Sequence, residues 1–213
     1  MRAAEHLFAR QGIDGTTLRE INRMAGQRNP SAVHYHFGSK QGLVRAILIR
    51  HQEVVEVEAG RRLDDLSAAE GKASVRDLIE AMVRPLCCEL GNSSGRDFLR
   101  IVPPFITQME ANLRQGVMPP VTSESARLLR LLAARLDHLP DAVRWERLVS
   151  YSVVLSSLMA ERARQLESRE PTPLDAEQFV VHLLDVTEAV VTAPSRVERR
   201  HRDGTEMIGE AGL

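Results

Sequence analysis

Between Gly12 and Ser39 the chain is cut into short helical pieces by its own capping chemistry. Thr17 and Glu20 have the Thr-x-x-Glu spacing of a capping box, in which each side chain satisfies a free backbone donor of the other, so a helix starts there. It buries Leu18, Ile21 and Ala25 and stops at Gly26, a residue able to close a helix in the left-handed conformation. Asn29 can cap and Pro30 suits a first helical position, so a third helix runs to about Phe37, where Gly38 ends it and Ser39 caps a fourth. Upstream, Ala4, Leu7 and Phe8 share one face of a first helix that Gly12 ends. This helix begins with the chain, which leaves room for a native start upstream of Met1.

The remainder is also helical in pattern, because Val and Ile recur at helix spacing rather than in alternating runs. From Lys40 a long helix reaches roughly Leu66, with Leu43, Ile47 and Val54 on one stripe and Val44, Leu48 and Val55 beside it. Further helices are predicted at about 74–90, 96–115, 122–138, 141–168 and 174–192, separated by "GNSSG", "GVMPP", "LP" and "REPTP" breaks. The expected fold class is therefore all-α. The expected organisation is a three-helix N-terminal domain at 1–48, a larger helical domain at 49–193, and a disordered tail at 194–213. That tail is rich in charge and poor in large apolar residues.

Of the 213 residues, 43% are hydrophobic and 27% charged, which suffices for one or two ordinary cores. The apolar run "LVSYSVVLSSLMA" at 148–160 is too short and too serine-rich to span a bilayer, so no membrane partner is expected. The first residues lack an apolar signal segment, and the only cysteines, Cys87 and Cys88, are adjacent. Both observations lead to a cytoplasmic protein in a reducing compartment.

The net charge of −1 conceals an asymmetry. Residues 1–50 carry eight Arg or Lys against three acids, or +5, which leaves −6 for the rest. A basic module on an acidic body points the N-terminal part at a polyanion. With Val33 and Phe37 turned to a small core, the third helix leaves Ser31, His34 and Tyr35 on its outward side, with Arg28 and Asn29 at the approach. These are hydrogen-bonding and stacking groups of the kind that DNA grooves and phosphates accept.

The segment "TTLREINRMAG", followed by "AVHYHFGSK" and a long apolar helix, resembles the N-terminal DNA-binding domain of TetR-family transcriptional regulators over about residues 3–50. The resemblance implies an Ω-shaped homodimer whose small N-terminal domains read a palindromic operator, with a larger helical domain that binds a ligand and dimerises. By position, it also implies phosphate contacts from Thr17 and Lys40, His34 where a tyrosine is usual, and Tyr35 and His36 at the next recognition-helix positions. The turn "AGQRNPSAV" is one residue longer than the family's spacing, which places Arg28 and Asn29 near the DNA.

Other chemistries fit less well. His34 and His36, two apart on a helix, point to nearly opposite sides and make poor joint metal ligands, so no metal or other cofactor is expected. "GK" at 71–72 lacks the earlier glycine of a phosphate-binding loop, and the serines around Tyr151 have no base beside them. No enzyme is expected. Met82, Phe98, Phe105, Met109 and Tyr151, around the Pro103–Pro104 interruption, could line a cavity for a small hydrophobic effector, although each residue taken singly is equally accounted for as plain core. One face of the 141–168 helix (Leu148, Val149, Ser152, Leu155, Ser156, Met159) and one of the last helix (Phe179, Leu183, Val186, Val190) are expected at a homodimer interface. The function expected is a sequence-specific, homodimeric transcriptional repressor released from its operator by a small molecule. The alternatives are an effector-independent activator or architectural DNA binder, and then an all-α enzyme.

Overall fold

The computed structural model describes residues 1–27, 32–68, 73–106, 123–168 and 171–197. Among them every regular element is helical: α1 (Arg2–Gly15), α2 (Leu18–Met24), α3 (Ala32–Phe37), α4 (Lys40–Ala68), α5 (Val75–Cys88), a 3₁₀ turn (Glu89–Gly91), α6 (Ser93–Ile101), α7 (Glu124–Arg135), α8 (Asp141–Ser168) and α9 (Ala176–Thr192). The fold is all-α, as the periodicity predicts. The expected tail falls mostly outside the described residues.

The capping signals act where their spacing places them. Gly12 sits at φ +75° and breaks α1 before its last turn. Thr17 and Glu20 form the reciprocal capping box of α2, and Gly42 N–H donates to the Ser39 hydroxyl at the start of α4 (2.9 Å). The "GNSSG" break separates helices through Asn92, which ends the 3₁₀ turn and caps α6, while its serines open that helix. After α6, Pro103 and Pro104 follow a break at Val102, as expected; the part of the predicted 96–115 helix beyond residue 106 lies outside the described residues.

Two apolar clusters organise these helices. Ala4, Leu7 and Phe8 of α1 meet Ile21 of α2, Leu43, Val44 and Ile47 of α4, and Ile101 of α6. The second cluster joins Val55, Ala59 and Leu63 of α4 to α5, α6, α7, α8 and α9, and Leu48 packs on both. Burying about 150–250 Å² per aromatic ring and some 1.5–3 kcal/mol per large aliphatic side chain, such clusters are the main source of stability.

Two burial expectations are corrected. In α2 the inward position after Ile21 belongs to Asn22, 4% exposed, whereas Ala25 faces solvent. In α4 the buried residues after Ile47 are His51, Val55, Ala59 and Leu63, and Val54 is 66% exposed. A four-residue step advances about 40° around a helix, so this buried line winds across the helix and leaves Val54 behind. The winding lets one helix serve first one cluster and then the other.

α8 and α9 run antiparallel. Near the start of α8, Arg147 donates to the Val190 carbonyl at the end of α9 (3.0 Å), while Arg162 near its end donates to the Leu174 carbonyl before α9 (2.7 Å) and lies over the Phe179 ring.

Candidate nucleic-acid interface and the cavity of the larger cluster

The outer end of the N-terminal bundle is built by α2 and α3. Phe37 packs against the N-terminal cluster and fixes the inner side of α3, while His34, Tyr35 and His36 are exposed, Tyr35 by 84%. The Tyr35 and His36 rings meet edge to face, with centroids 5.2 Å apart. α3 can lie this close to α4 because residue 42 is glycine: a Cβ there would stand 2.0 Å from the Phe37 carbonyl oxygen. Arg28, Asn29 and Ser31 lie outside the described residues, as does the side chain of Val33.

Thr17 is exposed at the N-terminus of α2, its hydroxyl donating to Glu20 Oε2 at 2.7 Å. Lys40 is placed differently from the phosphate contact that the resemblance implies. Its ammonium points back at the carboxyl end of α1, with the Ile13 carbonyl at 2.8 Å, that of Thr16 at 3.1 Å and that of Asp14 at 3.5 Å. Three carbonyls match the three donors of an ammonium, and the end of a helix attracts a cation. Other cations of the basic module are also engaged internally: Arg2 with Glu5 and Asp97, Arg10 with Glu167, and Arg50 with Glu5. Arg19 and Arg23 on α2 and Arg45 on α4 are exposed instead. Their charge was counted in the sequence, but only the folded arrangement separates outward cations from those spent on the protein itself; the i, i+4 spacing of Arg19 and Arg23 was the available signal.

A cavity of about 160 Å³ lies in the larger cluster. Met82, Phe98 and Tyr151 line it, together with Val55, Leu128 and Leu155. Phe105 does not: it packs on the N-terminal cluster, because the break at Val102 re-aims the chain. Met109 lies outside the described residues. The Tyr151 hydroxyl is buried and has no hydrogen-bond partner, and burial pushes its pKa up, which keeps it neutral. Glu56 also touches the cavity, but its carboxylate accepts from the Glu124 and Ser125 backbone N–H groups and the Ser125 hydroxyl at the start of α7. Cys87 is half-buried with its thiol 3.8 Å from the Met159 sulfur, and burial pushes its pKa up to about 12; Cys88 is exposed.

The expected dimer face needs correction. Leu148, Leu155, Met159, Phe179 and Leu183 are each no more than 8% exposed within the single chain, and Ser156 is 7% exposed. They face the protomer's own core and have no surface to offer a second copy. Val149, Ser152, Val186 and Val190 are half-buried. The apolar stripe was real, but its periodicity does not say which neighbour covers it.

α2 and the short α3, its polar and aromatic side chains outward, have the arrangement of a helix-turn-helix. Residues 1–47 match the family described as "Bacterial regulatory proteins, tetR family", a similarity of the N-terminal domain that supports a DNA-binding transcriptional regulator. No curated protein matches the chain. Among the described residues, no helix is long and apolar enough to cross a membrane.

Proposed function

We propose that the protein is a homodimeric, non-enzymatic repressor of the cytoplasm, released from a palindromic operator by a small molecule held in the larger helical part, residues 49–193. The observation that carries the effector is the cavity with the unpartnered Tyr151 hydroxyl. A buried polar group without a partner costs about 1–3 kcal/mol, and a ligand with one hydrogen-bonding atom would recover it. With Glu56 already neutralised by a helix N-terminus, the lining favours a neutral, largely apolar molecule about the size of a single ring. An occupant that favours one spacing of the two DNA-reading bundles by ~2 kcal/mol would lower operator affinity about thirtyfold.

DNA contact is assigned to Tyr35, His34 and His36 on the exposed side of α3, with Thr17, Arg19 and Arg23 at the phosphates flanking them. Arg28, Asn29 and Ser31 belong to the same approach by their position in the sequence. The dimer contact is assigned to the outward sides of α8 and α9, where Val153, Val154 and Ser157 stand opposite the core face and Val181 is 43% exposed. Capture of genomic fragments by the purified protein, followed by anisotropy titrations of a captured duplex with and without neutral phenols, tests the assignment. Release by the phenols and not by the matching benzoates is expected; a duplex affinity indifferent to every neutral compound would remove the effector.

A further inference from the structure

His51 stands where the DNA-reading bundle, the long helix and the cavity wall meet. Although it lies on α4 among apolar residues, it is only 6% exposed, and its surroundings are ionic. Its Nδ1 is 2.7 Å from Glu89 Oε2 of the 3₁₀ turn, and its Nε2 is 3.6 Å from Glu5 Oε1 of α1. Glu5 is fully buried and also meets Arg2 of its own helix, Arg50 of α4 at 3.5 Å and the Ser94 hydroxyl of α6, which donates to it at 2.7 Å. Asp97 of α6 takes Arg2 at 3.1 Å and has His6 Nδ1 at 3.6 Å. Three carboxylates thus face two arginines and an imidazole, with His6 at the edge. Their near balance of charge depends on His51 being cationic.

One ring joins this cluster to the cavity. Phe98 of α6 stacks on the His51 imidazole with centroids 4.6 Å apart and planes 9° from parallel, and Phe98 lines the cavity. Val55, one turn beyond His51 on α4, lines it as well. Glu89 is held from behind: a Cβ on Gly95 would stand 2.6 Å from its Oε2 and 2.1 Å from its backbone oxygen, so this carboxylate has little room to follow a moving imidazole. On the other side, His51 Nε2 and Glu5 Oε1 face each other without closing a hydrogen bond, and neither atom makes one elsewhere. The joint is fixed at Glu89 and loose at Glu5.

We propose that His51 is the positioning residue through which a filled cavity is felt by the DNA-reading bundle: an occupant that moves the Phe98 ring moves the imidazole relative to Glu5, and α1 moves with Glu5. This rests on the cavity being an effector site. The coupling is reciprocal: displacement of the imidazole changes the charge facing the buried Glu5, which Arg2, Arg50 and Ser94 tie to α1, α4 and α6. Direct contact through one ring and one ion pair gives two sites a shared two-state element, which is what linkage between them requires.

The test uses the full chain with labelled methionine methyls, histidine rings and backbone amides, and p-cresol as the probe. In the wild type, p-cresol should shift the Met82 and Met159 methyls, the His51 ring and the amides of α1 together. In His51→Gln, which leaves the cavity lining intact, the methyl shifts should persist and the α1 shifts should be lost. Methyl shifts in the wild type with an unmoved His51 ring and α1 would overturn the coupling and leave the cavity standing, as would α1 shifts that survive undiminished in His51→Gln. The wild-type spectra decide even if a variant fails to fold. Methyls that do not respond would overturn the cavity as an effector site, and the coupling with it.

Discussion

The Lys40 ammonium donates to the Ile13 carbonyl at 2.8 Å, so the residue that opens α4 also closes α1. A charge-assisted bond to a helix carboxyl end is worth about 0.3–1 kcal/mol when exposed and up to ~2 when partly buried. Lys40→Ala should therefore destabilise the N-terminal bundle by about 1–2 kcal/mol in denaturant titration. Once the protein is folded, it should leave the salt dependence of DNA binding unchanged. Arg19→Ala or Arg23→Ala should each flatten the slope of log K against log salt by about 1, the loss expected for one phosphate contact as proposed for each. A flatter slope in Lys40→Ala would return that lysine to the DNA.

Gly42→Ala should abolish DNA binding by driving the end of α3 from α4, since the added Cβ cannot coexist with the Phe37 carbonyl oxygen. Overpacking of this kind costs about 1–3 kcal/mol or more. The emission of Trp145, on α8 and remote from the change, should stay as in the wild type. Unimpaired binding by Gly42→Ala would mean that the packing of α3 on α4 does not position the reading helix.

The buried ion cluster sets a pH window for stability. Burial pushes the His51 imidazolium down, but Glu5 and Glu89 outweigh it and lift its pKa to about 9. Burial likewise pushes Glu5 up, but contacts with His51, Ser94 and Arg2 outweigh that and hold it at about 2. A raised histidine contributes stability in full below its unfolded value of 6.5 and loses it as pH rises through about 9; a depressed glutamate contributes above 4.5 and loses it as pH falls through about 2. Unfolding free energy should form a plateau between roughly pH 4.5 and 6.5 and fall on both sides. The alkaline fall should vanish in His51→Gln, and its persistence there would assign it to another group.

Tyr151→Phe removes a hydroxyl that has no partner. The folded protein should be as stable as the wild type or more stable by about 1 kcal/mol, while a phenolic effector should bind more weakly. Loss of about 1 kcal/mol or more on thermal unfolding would show that the hydroxyl is already satisfied inside the protein, and would take away the orienting group of the cavity.

Helix positions were legible because caps are local: Thr17 with Glu20 marks the start of α2 without reference to anything distant. The bounds predicted for the last two helices, 141–168 and 174–192, lie within two residues of Asp141–Ser168 and Ala176–Thr192. What a helix packs against is not local. Leu148, Leu155 and Met159 share a face in the sequence, but only the fold shows that face turned to α5 and α6 rather than outward. Phe98 and Tyr151 could be matched to a cavity by type, whereas Phe105, a few residues further on, could not be told from them. Glu5, His51, Glu89 and Asp97 were invisible as a site, since ionisable residues read as surface until their partners arrive from four different elements.

The central claim is that the exposed side of α3 reads DNA sequence, and selection of duplexes from a random library followed by titration of the recovered duplex tests it most directly. A duplex with inverted half-sites, bound at least a thousandfold more tightly than its scrambled version in the range of about 10³–10⁷ usual for specific binders, is the predicted result. Tyr35→Ala should erase most of that preference without unfolding the protein. Equal affinity for all duplexes, or an unchanged preference in Tyr35→Ala, would contradict it.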